Sequence, residues 1–330
     1  NSKCRKEEDM SKILFICPGF HEYDKIIENA MIKQGHDVTK FIPIGTYSVA
    51  EKVINKLSGD RYICHKKNKR KKNILLADSG EYDYVFMIAG ECLDTETLRA
   101  LRERQKKAKF ILYLWDDICR VNGYFDNVSY YDEIYTYALT DAETYHLKFL
   151  PMFVPDTHVY QGEPKQYKFS LLGMLHSERM QIWSKIVKDN GLDPKECYLY
   201  LMGTQISHFV QSVLPFGNPW MSGKYVHINS ASFRTIGNLM KRSKVTLDVQ
   251  HSKQKGVSSR TIEALGAHAK VVTTNPYVEK YDFYSYGNVY IIDRTNPVVP
   301  KEFFETDFQE MPKEIWDKYY IDCWIKKMFQ

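Results

Sequence analysis

Several patterns that would assign a function at once are missing from this chain of 330 residues. No GxGxxG run follows a strand-like segment, so a dinucleotide-binding Rossmann domain is not indicated. The seven cysteines form no CxxC pair, and their odd number and scattered spacing fit neither a disulfide framework nor a zinc site. Apolar runs stay short of the ~20 residues needed to span a bilayer. These absences, with a polar start that does not look like a signal peptide, predict a cytoplasmic protein with reduced thiols.

Composition and length are those of an ordinary globular protein. Hydrophobic residues make up 44% of the chain and charged residues 26%. A chain of this length is long enough for two domains of typical size, each of which can bury its own core.

The net charge of +5 is unevenly distributed along the chain. One run of seven residues holds six cations, which repel one another too strongly to lie in a core, so the run predicts a solvated face. It could lie on an anionic membrane surface, where each nearby cation contributes about 1 kcal/mol. An exposed helix end or loop without a partner is the equal alternative, and no nucleic-acid module accompanies the run. The cations are Lys66, Lys67, Lys69, Arg70, Lys71 and Lys72.

Buried strands alternate with helical patterns along both halves of the chain. Continuously apolar strands that alternate with amphipathic helices predict a parallel sheet covered on both faces. In the first half the strands are 12–17, 38–44, 84–89, 110–115, 133–139 and 148–154. In the second half they are 169–174, 198–202, 245–250, 270–275 and 289–292.

The linker between the halves is predicted at residues 155–165, where Pro, Gly and polar residues separate two periodic regions. The predicted domains are residues 1–158 and 159–311, followed by 312–330. In the last segment, residues 312–329 read as one amphipathic helix.

The stretch Val245–Asn275 reads as strand, loop, helix and strand. Ser258 or Ser259 can cap the helix, because a serine side chain accepts hydrogen bonds from the unpaired N–H groups of a first turn. Such a unit gathers free amides, a helix dipole and cationic side chains at one end of a parallel sheet, which suits an anion.

Two runs within this stretch, Ser258–Ala267 and Lys270–Asn275, resemble the donor-binding signature of GT-B glycosyltransferases. The resemblance is closest to the CgeB-like, group 1 type of bacterial capsule, lipopolysaccharide and spore-coat gene clusters. It implies that Glu263 holds the ribose of a nucleotide and that Ser258, Ser259 and Arg260 approach the diphosphate. A carboxylate suits a ribose diol because it accepts two hydrogen bonds at once. The alternative is an ordinary βαβ unit in which Glu263 is a solvated helix residue.

The resemblance also implies the overall architecture. The expected fold class is α/β, with two Rossmann-like, doubly wound parallel-sheet domains that face a central cleft. The N-terminal domain would bind the acceptor and the C-terminal domain the nucleotide sugar, and the terminal helix would cross back onto the N-terminal domain. The family usually needs no metal, so we expect no cofactor beyond a donor of the UDP or GDP type.

One position departs from the family pattern. Many retaining members carry a second Glu eight positions before the ribose Glu, where this chain has Lys255. The lysine could instead neutralise the diphosphate leaving group. Sugar placement, and the choice between retention and inversion, therefore stay open.

Further candidate residues follow from the rule that ligands bind beyond the carboxyl ends of the strands. His176 and Arg179 follow the first strand of the second half, where family members often place a phosphate-facing arginine. Alternatively, His176 is a satisfied loop histidine and Arg179 a solvated helix residue. The full set of donor-site candidates is Gly173, His176, Arg179, Gly203, Lys255, Ser258, Ser259, Arg260, Glu263 and Asn275.

In the first half, His21, Glu91 and Asp116 sit at predicted strand ends. Transfer with inversion needs a base that takes the proton of the acceptor hydroxyl, and each of the three could serve. Each could equally be a helix cap or a turn residue.

The sequence thus favours a glycosyltransferase that moves a sugar from a nucleotide diphosphate sugar to a lipid-linked or polysaccharide acceptor in bacterial surface glycan synthesis. Such an enzyme could also be peripheral at the inner face of the plasma membrane. Two alternatives remain: a nucleotide-sugar 2-epimerase of the same fold, and a GT-B-like module that binds a glycan or nucleotide without turnover.

Overall fold

The computed structural model describes residues 10–19, 22–43, 49–59, 61–77, 80–90, 92–174, 178–202, 226–227 and 231–330. The chain divides into two compact units. The first unit comprises Asn1–Pro151 with Asp322–Gln330, and the second comprises Met152–Ile321.

The first unit is built on a six-stranded, fully parallel sheet with the order β2-β1-β3-β4-β5-β6. Its inner strands form where the sequence is continuously apolar, and five of the six residues of β4 are buried. This is the pattern expected of a strand covered on both faces. The strands are β1 Lys12–Ile16, β2 Asp37–Phe41, β3 Tyr84–Ile88, β4 Lys109–Leu114, β5 Glu133–Thr136 and β6 Lys148–Phe149.

Helices of the first unit follow the apolar periodicity in most places. The first helix buries Ile27, Ala30 and Met31 on one face, and Asp94 caps the fourth by accepting a hydrogen bond from the amide of Thr97 at 2.9 Å. The basic run lies within a helix of 17 residues, whose bounds the apolar periodicity does not predict. These helices are α1 Tyr23–Lys33, α2 Val49–Leu57, α3 Arg61–Ala77, α4 Thr95–Arg104, α5 Tyr124–Asn127 and α6 Leu139–Tyr145.

The second unit contains another six-stranded parallel sheet, with the order β12-β11-β10-β7-β8-β9. Its strand order reverses between β7 and β10, and ligands of doubly wound folds bind outside the carboxyl ends of the strands at such a point. The strands are β7 Tyr167–Met174, β8 Cys197–Met202, β9 Val226–His227, β10 Ser243–Asp248, β11 Lys270–Thr273 and β12 Val289–Ile291. Two parallel sheets confirm the predicted α/β class.

Aromatic stacking dominates the core of the second unit. Trp183 is fully buried and stacks on Phe169 of β7 with ring centroids 4.4 Å apart, and Phe304 meets Phe169 edge-on at 5.3 Å. The helices of this unit are α7 Arg179–Asp189, α8 Phe233–Lys241, α9 Ser259–Gly266, α10 Lys301–Glu305 and α11 Lys313–Trp316.

The C-terminal segment forms two short helices, α11 and then α12, Ile321–Met328, instead of the single helix that was expected. The break has a backbone cause. The carbonyl of Tyr319 accepts a hydrogen bond from the amide of Val154 at 2.6 Å, and the amide of Ile321 donates to the carbonyl of Val154 at 3.3 Å. Beyond the break, Trp324 of α12 is buried in the first unit, where it meets Tyr113 edge-on at 4.8 Å.

Two helical glycines let the segment 154–158 pack closely on α8 and α9. A Cβ at Gly237 of α8 would lie 2.6 Å from the carbonyl oxygen of Thr157. A Cβ at Gly266 of α9 would lie 2.7 Å from Cγ2 of Val154, and closer still to Cγ1. Since real Cβ contacts essentially never fall below 3.0 Å, either residue could gain a side chain only if the packing shifted.

We therefore expect Gly266→Ala to destabilise the protein by about 1–3 kcal/mol through overpacking, although alanine is by itself the better helix former. Urea unfolding measures the change. Gly80→Ala is the matched control, since nothing lies within 4 Å of its Cβ position, and it should leave stability nearly unchanged. Equal effects of the two substitutions would contradict this account of the packing.

Candidate functional site

The start of α9 is fixed by a buried carboxylate at the end of β10. Ser258 is the N-cap, and its Oγ accepts a hydrogen bond from the amide of Thr261 at 3.3 Å. The same Oγ donates to Oδ2 of Asp248 at 2.5 Å, and Oγ1 of Thr261 donates to that oxygen at 2.8 Å. Asp248 is only 2% exposed, so these bonds offset its loss of water. The helix end is thereby locked against the switch point of the sheet.

Two guanidinium groups converge on the neighbouring strand end. Arg179 donates from Nε and Nη2 to the carbonyl of Val249, at 3.0 and 2.9 Å, and from Nη1 to the carbonyl of Met174 at 2.8 Å. Nη1 of Arg260 donates to the carbonyl of Leu172. A Cβ at Gly173 would collide with Nη1 of Arg260 and lie 3.0 Å from Nη1 of Arg179. The glycine is therefore needed for both cations to occupy this place.

A third guanidinium lies beside the ends of β10 and β11. Nη2 of Arg294 donates to the carbonyl of Gln250 at 2.7 Å and to Oγ1 of Thr274 at 3.2 Å, while its Nη1 lies 3.0 Å from Oε2 of Glu178. Burial, and to a smaller extent Arg260, lowers the pKa of Arg179 to about 10, so that guanidinium stays protonated at neutral pH. Like charges this close favour the binding of an anion.

Glu263 lies one turn beyond the capped end of α9 and is buried, with 3% of its surface exposed. Its Oε2 is 4.0 Å from Nε2 of His158. The imidazole is fully buried, with Nδ1 3.1 Å from Oγ1 of Thr157 and its ring edge-on to Phe233 at 4.7 Å. Within the described ranges, Nε2 has no hydrogen-bond partner. A buried polar atom of this kind calls for an explanation.

The imidazole of His158 is held in its neutral form. Burial above all, and then the positive charges of Lys241 and Arg260, lower its pKa from the ordinary 6.5 to about 3. A neutral imidazole has one nitrogen that donates and one that accepts. In the tautomer in which Nδ1 accepts from the hydroxyl of Thr157, Nε2 carries the proton on the side of Glu263.

The loop between β10 and α9 is braced by Asn275. This side chain is 2% exposed, and its Nδ2 donates to the carbonyls of Gly256 and Lys255 at 3.2 and 3.4 Å. Its Oδ1 accepts from the amide of Tyr277 at 2.9 Å. Asn275 therefore acts here as a scaffold for the loop, on which the side chain of Lys255 is exposed.

Solved structures share this architecture at low sequence identity. OtsA in its apo form matches with a TM-score of 0.60 and 10% identity, over 97% of this chain and 98% of that one. An α,α-trehalose 6-phosphate synthase from Burkholderia multivorans gives 0.55 and 11%, over 97% and 96%. A Listeria monocytogenes protein assigned as a UDP-N-acetylglucosamine 2-epimerase gives 0.55 and 12%, over 97% and 95%. The chain has the GT-B fold. No protein-family model and no curated protein matches it in sequence.

The structure brings a core of the expected donor residues together within this GT-B fold. Gly173 lies against the guanidinium groups of both Arg179 and Arg260 at the end of β7, and Ser258 caps the helix that carries Ser259, Arg260 and Glu263. His176 and Gly203 lie outside the described residues, as do the two N-terminal candidates His21 and Glu91. Asp116 is half-buried just after β4 and pairs with Arg120 at 2.8 Å.

Three residues of the site were not among the candidates. Asp248 could have been identified from the sequence. It is the one acidic residue of the apolar strand 245–250, which precedes the capped helix. Arg294 and His158 could not, since each reaches the site from a distant segment of the chain. Only the packing of segment 154–158 on α8 and α9 shows that His158 lies beside Glu263.

Two surface clefts of about 200 and 340 Å³ lie at the opposite, amino end of the second sheet. Both are lined by Lys165 and Lys244. Lys165 donates to the carbonyls of Lys241 and Ala267, each at 2.9 Å, where α8 and α9 end. Burial lowers the pKa of Lys165 to about 7, and its amino group donates to the carbonyls of two helix C-termini at once. We therefore assign this end of the sheet to scaffolding.

Among the residues that the structure describes, no group of three or more His, Cys, Asp or Glu side chains could hold a metal ion. No helix of the described segments is long and apolar enough to cross a bilayer.

We expect the neutral state of His158 to make stability depend on pH. In the unfolded chain His158 takes up a proton near the ordinary pKa of 6.5, whereas in the folded chain it does so only near pH 3. The free energy of unfolding therefore falls as the pH drops between these two values. From about pH 7.5 to about pH 5, this group alone should remove about 2 kcal/mol from the free energy of unfolding. Urea unfolding of wild type and His158→Gln at both pH values measures it.

The substituted protein should lose less stability on acidification than wild type does. His65→Gln, at an exposed position of α3, is the matched control and should keep the wild-type dependence. Parallel pH curves for wild type and His158→Gln would show that the folded protein accommodates a charged imidazole at this place.

Proposed function

We propose that this chain is a glycosyltransferase that binds a nucleotide diphosphate sugar at the carboxyl end of its second sheet. One observation carries the proposal: two guanidinium groups and the capped N-terminus of α9 meet at the switch point of the sheet, with the buried Glu263 one turn away. The fold supports it, since a synthase that makes trehalose 6-phosphate has the same architecture.

The diphosphate would lie against Arg260 and the first turn of α9. A helix N-terminus offers amide donors and a partial positive charge, and an arginine adds a planar fork of donors. Arg179 would contribute mainly its positive charge, without direct hydrogen bonds to the diphosphate, because three of its N–H groups already bind backbone carbonyls. When the bond to the sugar breaks, negative charge builds up on the departing diphosphate, and these groups stabilise it.

The ribose would be held by Glu263. A buried carboxylate can accept hydrogen bonds from both hydroxyls of a diol. The ribose would thus supply hydrogen bonds that an exposed carboxylate receives from water. The neutral His158 supports this role, because a protonated Nε2, 4.0 Å from Oε2, would attract the carboxylate without cancelling its charge. His158 is thus proposed as a positioning residue.

The finer assignments remain proposals of the same kind. The proton of the acceptor hydroxyl would pass to a base of the N-terminal unit, for which His21, Glu91 and Asp116 are the candidates. The donor would be of the UDP or GDP type, and the side chain of Lys255 would reach the leaving group. His176 and Gly203 would add contacts to the donor.

The acceptor would be a lipid-linked or growing polysaccharide of a bacterial surface glycan. This part rests on the sequence resemblance to enzymes of capsule and lipopolysaccharide synthesis. An enzyme with such an acceptor would work at the inner face of the plasma membrane, and the basic run of α3 offers the charge for an anionic surface.

A second candidate function is nucleotide-sugar 2-epimerisation. The same fold occurs in the Listeria protein assigned to that reaction, at the same TM-score as the trehalose-phosphate synthase. Such an enzyme would use the same nucleotide site but no acceptor. A module that binds nucleotide or glycan without turnover is the third option.

We expect a nucleoside diphosphate to bind wild type, and Glu263→Gln to weaken that binding by about 1–3 kcal/mol, because an amide replaces an acceptor of charge-assisted hydrogen bonds. Calorimetric titration with UDP, GDP, CDP and ADP measures it. The 2′-deoxy form of the best ligand should bind wild type more weakly than its parent, and Glu263→Gln should largely erase that difference.

Glu302→Gln, on an exposed face of α10, is the matched control and should bind like wild type. If no nucleoside diphosphate binds, or if Glu263→Gln keeps full preference for the ribose, the proposed site is wrong. With the matching nucleotide sugar, NMR then separates the functions: a new 2-epimer without acceptor indicates an epimerase, and a product that requires acceptor indicates a transferase.

A further inference from the structure

Helices α2 and α3 form an antiparallel hairpin in the first unit. The side chain of Asn55 accepts a hydrogen bond from the amide of Ile63 at 2.8 Å, and Glu51 pairs with Lys66 at 2.5 Å. Ser58 accepts from the amide of Tyr62 at 3.2 Å. Residues 58, 55 and 51 of this segment thus pair with residues 62, 63 and 66 in turn. Since one series decreases while the other increases, the two helices are antiparallel.

The outer face of α2 carries apolar residues where a helix normally shows polar ones. Ala50, Ile54 and Leu57 are spaced by four and three residues and therefore form one stripe. Ile54 is 45% exposed and Leu57 83% exposed. We call these three residues the apolar stripe. A single exposed leucine would need no explanation, but a row along one helix face does.

The outer face of α3 carries cations in a similar row. Arg61, Lys69 and Lys72 are exposed cations and His65 is an exposed imidazole between them, and the spacing of four, four and three residues places all four along one side of the helix. We call these four residues the cationic stripe. From Arg61 to Ala77 the sequence contains no acidic residue. The positive charge of this face is therefore not offset within its own helix.

The two stripes face the same side of the hairpin. On α2, the apolar stripe lies one position before the row of Glu51, Asn55 and Ser58 that faces α3. On α3, His65 lies one position before Lys66, which pairs with Glu51 of α2. Arg61 lies one position before Tyr62, whose ring centroid is 5.0 Å from Nζ of Lys66. One residue back along a helix is a rotation of about 100° about its axis. In two antiparallel helices both the axis and the direction of contact are reversed, so the same step back points to the same side of the pair. Aliphatic and cationic side chains thus form one surface.

We propose that this surface of the α2–α3 hairpin docks on an anionic phospholipid membrane. Interfacial helices combine a shallow apolar row, which enters the boundary of the acyl chains, with cations that meet the anionic headgroups. Both components are present here, side by side. Leu57 lies at the tip of the hairpin and would enter the bilayer first. A nucleic acid would use the cations but would leave the aliphatic row without a role.

The hairpin is also anchored well enough to transmit such docking to the protein. Near the end of α3, Ile74 is buried in the core, and the carbonyl of Leu75 accepts a hydrogen bond from Nη1 of Arg104 on α4. The docking surface deepens the proposed function and rests on its membrane-linked acceptor. Its test needs neither nucleotide nor sugar, so the docking and the sugar transfer can fail separately.

Co-sedimentation with vesicles tests the proposal on the full chain. Wild type should bind vesicles of phosphatidylglycerol and phosphatidylcholine, and much less those of phosphatidylcholine alone. The double change Lys69→Gln with Lys72→Gln should lower the partition coefficient roughly 30-fold, at about fivefold for each cation near the surface. Leu57→Ser should lower it at least about tenfold, through loss of buried aliphatic groups.

Matched controls lie in the second unit. Lys188→Gln with Lys195→Gln removes two exposed cations, and Val298→Ser removes an aliphatic side chain that is 57% exposed. Both should bind vesicles like wild type. All changes are at exposed positions, so unchanged thermal unfolding verifies that each variant is folded.

Three results would overturn the proposal: no binding of wild type to anionic vesicles, equal losses in the control variants, or wild-type binding by both hairpin variants. A loss with the lysine pair but none with Leu57→Ser would also reject docking through the common surface, and would leave a purely electrostatic contact. Binding of single-stranded RNA that competes fully with vesicles and ignores Leu57 would assign the cations to nucleic acid instead.

Discussion

The candidate site of this protein depends on the buried carboxylate of Asp248. One of its oxygens receives the hydroxyls of Ser258 and Thr261, and in this way the end of β10 determines where α9 begins. The direction of that helix then places Arg260 at the end of β7 and Glu263 beside His158. A carboxylate without these donors would be costly at this depth, so strand end and helix start stabilise each other.

Charge at the switch point fits the negative ligand that we propose. Three guanidinium groups reach the strand ends of the second sheet, and Gly173 leaves the room that two of them need. Backbone carbonyls take up donors of Arg179 and Arg260, which fixes these two side chains without neutralising them, whereas Arg294 also pairs with Glu178. A diphosphate would supply the missing charge. At the amino end of the same sheet, by contrast, Lys165 is engaged by two helix C-termini, and the clefts there have no comparable role.

Much of this arrangement could be predicted from the sequence because local signals specify it. Continuous apolar runs predicted the strands, and Ser258 predicted the start of the helix at the candidate anion site. The rest depends on contacts between distant segments. His158 lies beside Glu263 only because glycines let 154–158 pack on two helices. The terminal segment forms two helices because Val154 engages its backbone. The bounds of helix α3 could not be predicted from the sequence, because its many cations leave little apolar periodicity.

The most direct test of the central claim compares a nucleoside diphosphate with its monophosphate on wild type and Arg260→Gln, by calorimetric titration. If the guanidinium and the start of α9 hold the diphosphate, wild type should prefer the diphosphate clearly, and Arg260→Gln should lose most of that preference while it still binds the monophosphate. A substitution that weakens both ligands equally, or neither, would show that the phosphates lie elsewhere and would contradict the account.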